Sequence, residues 1–120
     1  MLKVIADNPD RAVFAGMLGY DGHVPETPSG PGLEQSAALA TWRSATATYE
    51  SFVDVVKTDF PELWRDDLVI NSGGTQTYSL YTRGPVNDVS CGGGMLRPGA
   101  YANTFISALQ PAIFLAAPVI

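Results

Sequence analysis

Apolar residues fall into short runs separated by turn residues, with one long helical stripe between them. Met1 to Asn8 reads as the closing turns of a helix, stopped by Pro9. Ala12 to Leu18 (Ala-Val-Phe-Ala-Gly-Met-Leu) is an apolar run bounded by turn residues, the pattern of a buried strand. A loop rich in proline and glycine, Val24 to Gly32, leads into a long segment, Leu33 to Thr58. There Gln35, Leu39, Trp42, Ala45, Tyr49, Phe52, Val53 and Val56 recur at helical spacing. This mostly apolar stripe predicts an outer helix lying on a sheet, ended by Pro61. Asp67 to Asn71 predicts a second short strand, Gln76 to Tyr81 a short helix, and Asn87 to Ser90 a weaker third strand. Strands alternating with helices predict parallel βα units, an α/β fold.

Composition narrows the function. The chain has 120 residues, room for one small domain. Twelve acidic residues against seven Lys and Arg leave a net charge of −5, and no basic stripe exists, which argues against a nucleic-acid partner. A single cysteine, Cys91, excludes an internal disulfide framework and a cysteine-based zinc site; it reads as a small buried residue with no base to activate it. From Leu68 to Ile120 the only charges are Arg83, Asp88 and Arg97. A surface needs more than that, so this half reads as the interior of something larger. Frequent Pro, Asn and Gln interrupt it too often for a membrane span. Met1 to Asn8 lacks a signal-peptide core, which leaves the cytoplasm as the expected location.

Two glycine-rich turns each follow an expected strand: Ser72-Gly73-Gly74-Thr75 and Cys91-Gly92-Gly93-Gly94. Glycine lets backbone N–H groups approach a phosphate, and hydroxyls of Ser72 and Thr75 add donors. Tight turns without a ligand are the plainer reading, and no Walker A lysine follows either turn. Tyr20-Asp21-Gly22-His23 also follows a strand and belongs on the same face. Tyr20 suits a ligand ring or simply the rim, and the lone His23 suits chemistry or a structural hydrogen bond. Asp66 and Asp67 are adjacent and solvent-facing in this reading, and Lys3 and Lys57 sit on helices, away from strand ends.

Three segments in order resemble one family. Gly16-Met17-Leu18-Gly19-Tyr20-Asp21-Gly22-His23 is similar to the G-x-x-x-Y-x-G-H stretch of pyridoxal-phosphate enzymes of the D-threonine aldolase and D-serine dehydratase group. Ser72-Gly73-Gly74-Thr75-Gln76-Thr77-Tyr78 resembles that group's phosphate turn. Asn87 to Gly93, followed by Arg97-Pro98-Gly99-Ala100-Tyr101, resembles its next strand and the segment beyond.

The resemblance implies a fold-type III enzyme with an alanine-racemase type of barrel. Residues 1–111 would form about the last three βα units of a (β/α)8 barrel, and residues 112–120 the start of a C-terminal β domain. A complete barrel takes about 250 residues. The cofactor lysine and the ligands of any divalent metal would therefore lie outside this chain, which alone would be inactive.

Carried over by motif, Ser72, Gly73, Gly74 and Thr75 would hold the cofactor phosphate, with Gly92 and Gly93 closing the cup. Tyr20 and His23 would be the candidate catalytic residues, Tyr20 near the pyridine ring. Gly94 stands where the family more usually has serine, removing one hydroxyl donor. The implied function is a lyase, or a racemase, acting on D-amino acids or 3-hydroxy amino acids. A small-molecule substrate and a homodimer of the whole protein go with it. The alternative is a stand-alone module that binds a phosphorylated ligand, or a subunit piece without catalysis.

Overall fold

The computed structural model describes residues 1–27, 30–32, 34–99, 101, 104–114 and 116. A first helix α1 (Leu2–Ala6) is followed by strand β1 (Gly16–Gly19), the long helix α2 (Glu34–Asp59), strand β2 (Val69–Ser72) and strand β3 (Asp88–Val89). Single 3₁₀ turns lie at Pro61–Leu63, Tyr78–Leu80, Gly92–Met95 and Thr104–Ile106. The strands form one parallel sheet in the order β1-β2-β3, with Gly16 opposite Val69 and Gly19 opposite Ser72. Ser72 in turn stands opposite Val89.

The parallel pairing expected from the sequence is present, with one long helix between β1 and β2. The boundaries move. The apolar run Ala12–Leu18 does not form one buried strand: pairing is confined to Gly16–Gly19, and Leu18 is 73% exposed. The reason is the two-residue period of a strand. Met17 packs on the core, so its neighbour Leu18 falls on the other side of the sheet; Phe14 lies ahead of the paired residues, before Gly16 at φ +144°, and joins the same core outside that alternation. Where a helix was expected over Gln76–Tyr81, a turn at 75–77 passes into the 3₁₀ turn Tyr78–Leu80. Leu33, the expected helix start, lies outside the described residues, as do Ala100 and residues 115 and 117–120 of the expected second domain.

The core sits between α2 and one sheet face. Phe14, Val53, Val56, Leu63, Leu68 and Ile70 form its buried cluster, with Leu2, Ile5, Met17, Tyr49, Phe60 and Trp64 packed around them. The stripe of α2 is split accordingly. Val53 and Val56 are fully buried, while Gln35 and Phe52 remain exposed, because the sheet is too small to cover the whole stripe. Pro61 stops α2 as expected: without an amide hydrogen it opens the 3₁₀ turn that folds Leu63 back into the core. Lys57, on the exposed side, lies 4.5 Å from the centre of the Trp64 ring.

Polar side chains extend the sheet where the backbone pairing runs out. Asn87 accepts from the Ile70 amide (2.8 Å) and donates to the Leu68 carbonyl (2.9 Å), standing in for a strand residue. Buried Asn71 donates to Asp88 and exchanges hydrogen bonds with Ser90 (3.0 and 3.1 Å).

Tyr49 of α2 ties β1 and β2 together. Its hydroxyl lies 2.9 Å from the Met17 carbonyl and 2.8 Å from that of Asn71, one proton shared between two acceptors. Burial, with the nearby Tyr81 adding to it, pushes the Tyr49 hydroxyl up to about 12 from 10.0. The folded chain therefore favours the neutral phenol. This contribution to stability is complete below pH 10 and is lost as the pH rises through about 12. Replacing Tyr49 with phenylalanine should cost about 1 kcal/mol at neutral pH, the worth of a part-buried hydrogen bond. It should also flatten the loss of stability above pH 10, read by denaturant titration at a series of alkaline pH values.

Candidate functional site

In a parallel sheet all strands point the same way, so the loops leaving their C-terminal ends gather at one edge. Here the three post-strand loops meet in a single cleft of about 320 Å³. Tyr20, Asp21 and Gly22 line it from the end of β1, Gly74 to Thr77 from the end of β2, and Ser90, Gly92 and Gly93 from the end of β3. Tyr101 adds a ring, and Pro25 and Glu26 complete the rim.

The two glycine-rich turns touch. A Cβ on Gly93 would lie 2.9 Å from Thr75 Oγ1 and 3.1 Å from the Tyr101 ring, so only glycine lets these groups close together. The amides of Thr75, Gly92 and Gly93 donate to no protein group among the described residues, and neither does the Thr75 hydroxyl. The cleft thus has neutral donors on the side where the turns meet. The described lining also carries two carboxylates, Asp21 and Glu26, and no lysine or arginine. Asp21 is engaged by the Thr77 hydroxyl of the same turn, so an anion would be held by amides and hydroxyls alone.

Asp21 is the residue that sequence reasoning passed over. It is 3% exposed and both its oxygens are engaged. The Thr77 hydroxyl donates to Oδ1 (2.8 Å) and the Tyr81 hydroxyl to Oδ2 (2.8 Å), from 56 and 60 residues further along the chain. Thr77 Oγ1 in turn accepts from the Gly74 amide at 3.0 Å, and the Gly74 carbonyl accepts from the amides of Thr77 and Tyr78. Burial pushes the Tyr81 hydroxyl up first. The hydrogen bond from Ser72 opposes this, and the Asp21 carboxylate that accepts the Tyr81 proton adds to the upward push. Trp42 of α2 packs edge-on against the Tyr81 ring at 5.7 Å.

The expected site residues divide between two clefts. Tyr20, Gly74, Thr75, Gly92 and Gly93 come together in the first. Ser72 does not line it: its hydroxyl donates to Tyr81 (3.2 Å) and its side chain is 4% exposed. Gly73 is also set back, with φ +79°, where a Cβ would lie 3.1 Å from the Tyr81 ring. His23 is exposed and lines a neighbouring cleft of about 380 Å³ with Tyr49, Phe52, Ser72 and Tyr81. Tyr20 and Asp21 form the wall between the two clefts.

Cys91 is half-buried and a free thiol. Asp66 and Asp67 are exposed, the latter accepting from Arg65 (2.8 Å). No group of three or more His, Cys, Asp or Glu among the described residues could hold a metal ion. No described helix is long and apolar enough to cross a membrane.

Comparison of the chain with protein-family models, with curated proteins and with solved structures gives no match.

Proposed function

We propose that the chain supplies the phosphate-binding wall of a pyridoxal-phosphate enzyme, as part of a (β/α)8-type barrel. The observation that carries this reading is the convergence of both glycine-rich turns in one cleft at the C-terminal edge of a parallel sheet. The donor set fits a phosphate ester. Three amides and a hydroxyl with no acceptor among the described residues stand where the turns meet, and the glycines leave room for backbone to approach.

In this reading Thr75, Gly92 and Gly93 hold the phosphate, and Tyr20, 74% exposed and lining the cleft, offers a ring face to the pyridine. Pyridoxal phosphate, when bound, supplies an electron sink for cleavage at the α-carbon of an amino acid. The residues of this chain bind and orient it and flank the space beside it. His23 lines the adjoining cleft and faces solvent there, so its place in the reading is beside the cofactor rather than at the phosphate. The resemblance of the three motifs points to a D-amino acid or 3-hydroxy amino acid as the substrate class, with the whole protein a homodimer.

Equilibrium dialysis tests this directly. Pyridoxine 5′-phosphate carries the ring and phosphate but no aldehyde to react with lysines. The chain should retain pyridoxine 5′-phosphate and not pyridoxine. Equal retention of both would contradict a phosphate cup. Retention of inorganic phosphate as tightly as of pyridoxine 5′-phosphate would favour the second reading, a module for phosphorylated ligands in general. That reading draws on the neutral amide and hydroxyl donors, which suit a phosphate group whatever it is attached to.

A further inference from the structure

We propose that Asp21 is a positioning residue of the phosphate-binding wall: it holds the turn at Gly74–Thr77 in the shape that presents the Thr75 amide, without touching the ligand itself. The role rests on the phosphate-cup reading given above.

A buried carboxylate next to an anion site looks like a contradiction, since like charges repel. The hydrogen bonds resolve it. Asp21 Oδ1 fixes the Thr77 hydroxyl as a donor, which leaves the Thr77 oxygen lone pairs facing the Gly74 amide. The Gly74 amide is thereby taken up inside the turn, while the next amide, that of Thr75, donates to no group among the described residues. Oδ2 accepts from Tyr81, whose oxygen accepts from Ser72 at the end of β2. One carboxylate from the end of β1 thus closes the loop that leaves β2 at two points. Asp21 and Thr77 are 3% and 2% exposed, so water does not compete for these bonds.

The decisive comparison is between two substitutions that both remove the charge. Asparagine keeps an acceptor for Thr77 and offers an amide to the Tyr81 oxygen; alanine keeps neither. If Asp21 positions the turn, Asp21→Ala should weaken pyridoxine 5′-phosphate binding about tenfold, and Asp21→Asn should stay within about threefold of the wild type or bind more tightly. Thr77→Val, which removes the relaying hydroxyl at nearly constant volume, should weaken binding about as much as Asp21→Ala. It decides the matter should the alanine variant fail to fold.

If the alanine and asparagine variants both bind more tightly, Asp21 acts only through its charge and the positioning role is overturned. The same holds if alanine, or valine at position 77, leaves the affinity unchanged; the phosphate cup then stands without the role. If the wild-type chain itself retains no phosphate ester, the cup fails and the role fails with it, a result separable from the others because it needs no variant.

Discussion

Gly16→Ala is expected to abolish the cooperative fold or to cost about 3 kcal/mol or more. Gly16 opens β1 with φ +144°, a region that side chains of L residues rarely enter. A Cβ there would lie 1.9 Å from the carbonyl oxygen of Val69, its partner across the sheet. The obstacle is backbone, so it cannot swing aside as a side-chain tip would. Either β1 or β2 must move, and the hydrogen bond from the Val69 amide to the Ala15 carbonyl (3.0 Å) is lost with the register. Gly99→Ala is the matched control, since nothing lies within 4 Å of a Cβ there, and it should leave the denaturation midpoint within about 0.5 kcal/mol of the wild type. Equal midpoints for the two variants, followed by circular dichroism in denaturant, would contradict this view of the β1–β2 pair.

The second large effect concerns binding rather than folding. Gly93→Val should weaken pyridoxine 5′-phosphate binding more than about tenfold, because it separates the two turns that form the donor side of the cleft. Its Cβ would already press on Thr75 Oγ1 at 2.9 Å and the Tyr101 ring at 3.1 Å, and the two methyl groups beyond it need further space. Thr75 carries both an amide and a hydroxyl with no acceptor among the described residues, so moving it removes the densest part of the donor set. The turn lies outside the core cluster around Val53, Val56 and Ile70, so thermal stability should change little. Wild-type affinity in this variant would show that the turns need not touch for the ligand to bind.

Much of this arrangement was legible in the sequence, for a physical reason. Glycine runs placed directly after short apolar segments mark strand ends, and in parallel βα units all such ends share one edge. That logic places Gly74, Thr75, Gly92, Gly93 and Tyr20 at one edge, and in the structure they line one cleft. It could not say which residues of a turn face the ligand. Ser72 still belongs to β2, and its buried hydroxyl turns to Tyr81. Gly73 serves the passage beneath the Tyr81 ring.

Asp21 escaped because its partners, Thr77 and Tyr81, are far away in sequence and no spacing rule connects them. The signal that could have found it was its place straight after a strand end, facing two hydroxyl residues four apart. The limits of the strands were equally hidden. A short apolar run reads as buried on both faces, yet Leu18 and Val69 are 73% and 50% exposed, on the side of the sheet away from α2.

The central claim, that a phosphate group is held where the two glycine-rich turns meet, is tested most directly by mapping backbone amide resonances of the 15N-labelled chain during titration with pyridoxine 5′-phosphate. The account predicts the largest shifts at Thr75, Gly92 and Gly93, with Gly74 moving little because its amide is already held by Thr77. Shifts confined to the exposed cations Lys3, Arg11 and Arg43, with the two turns silent, would contradict it.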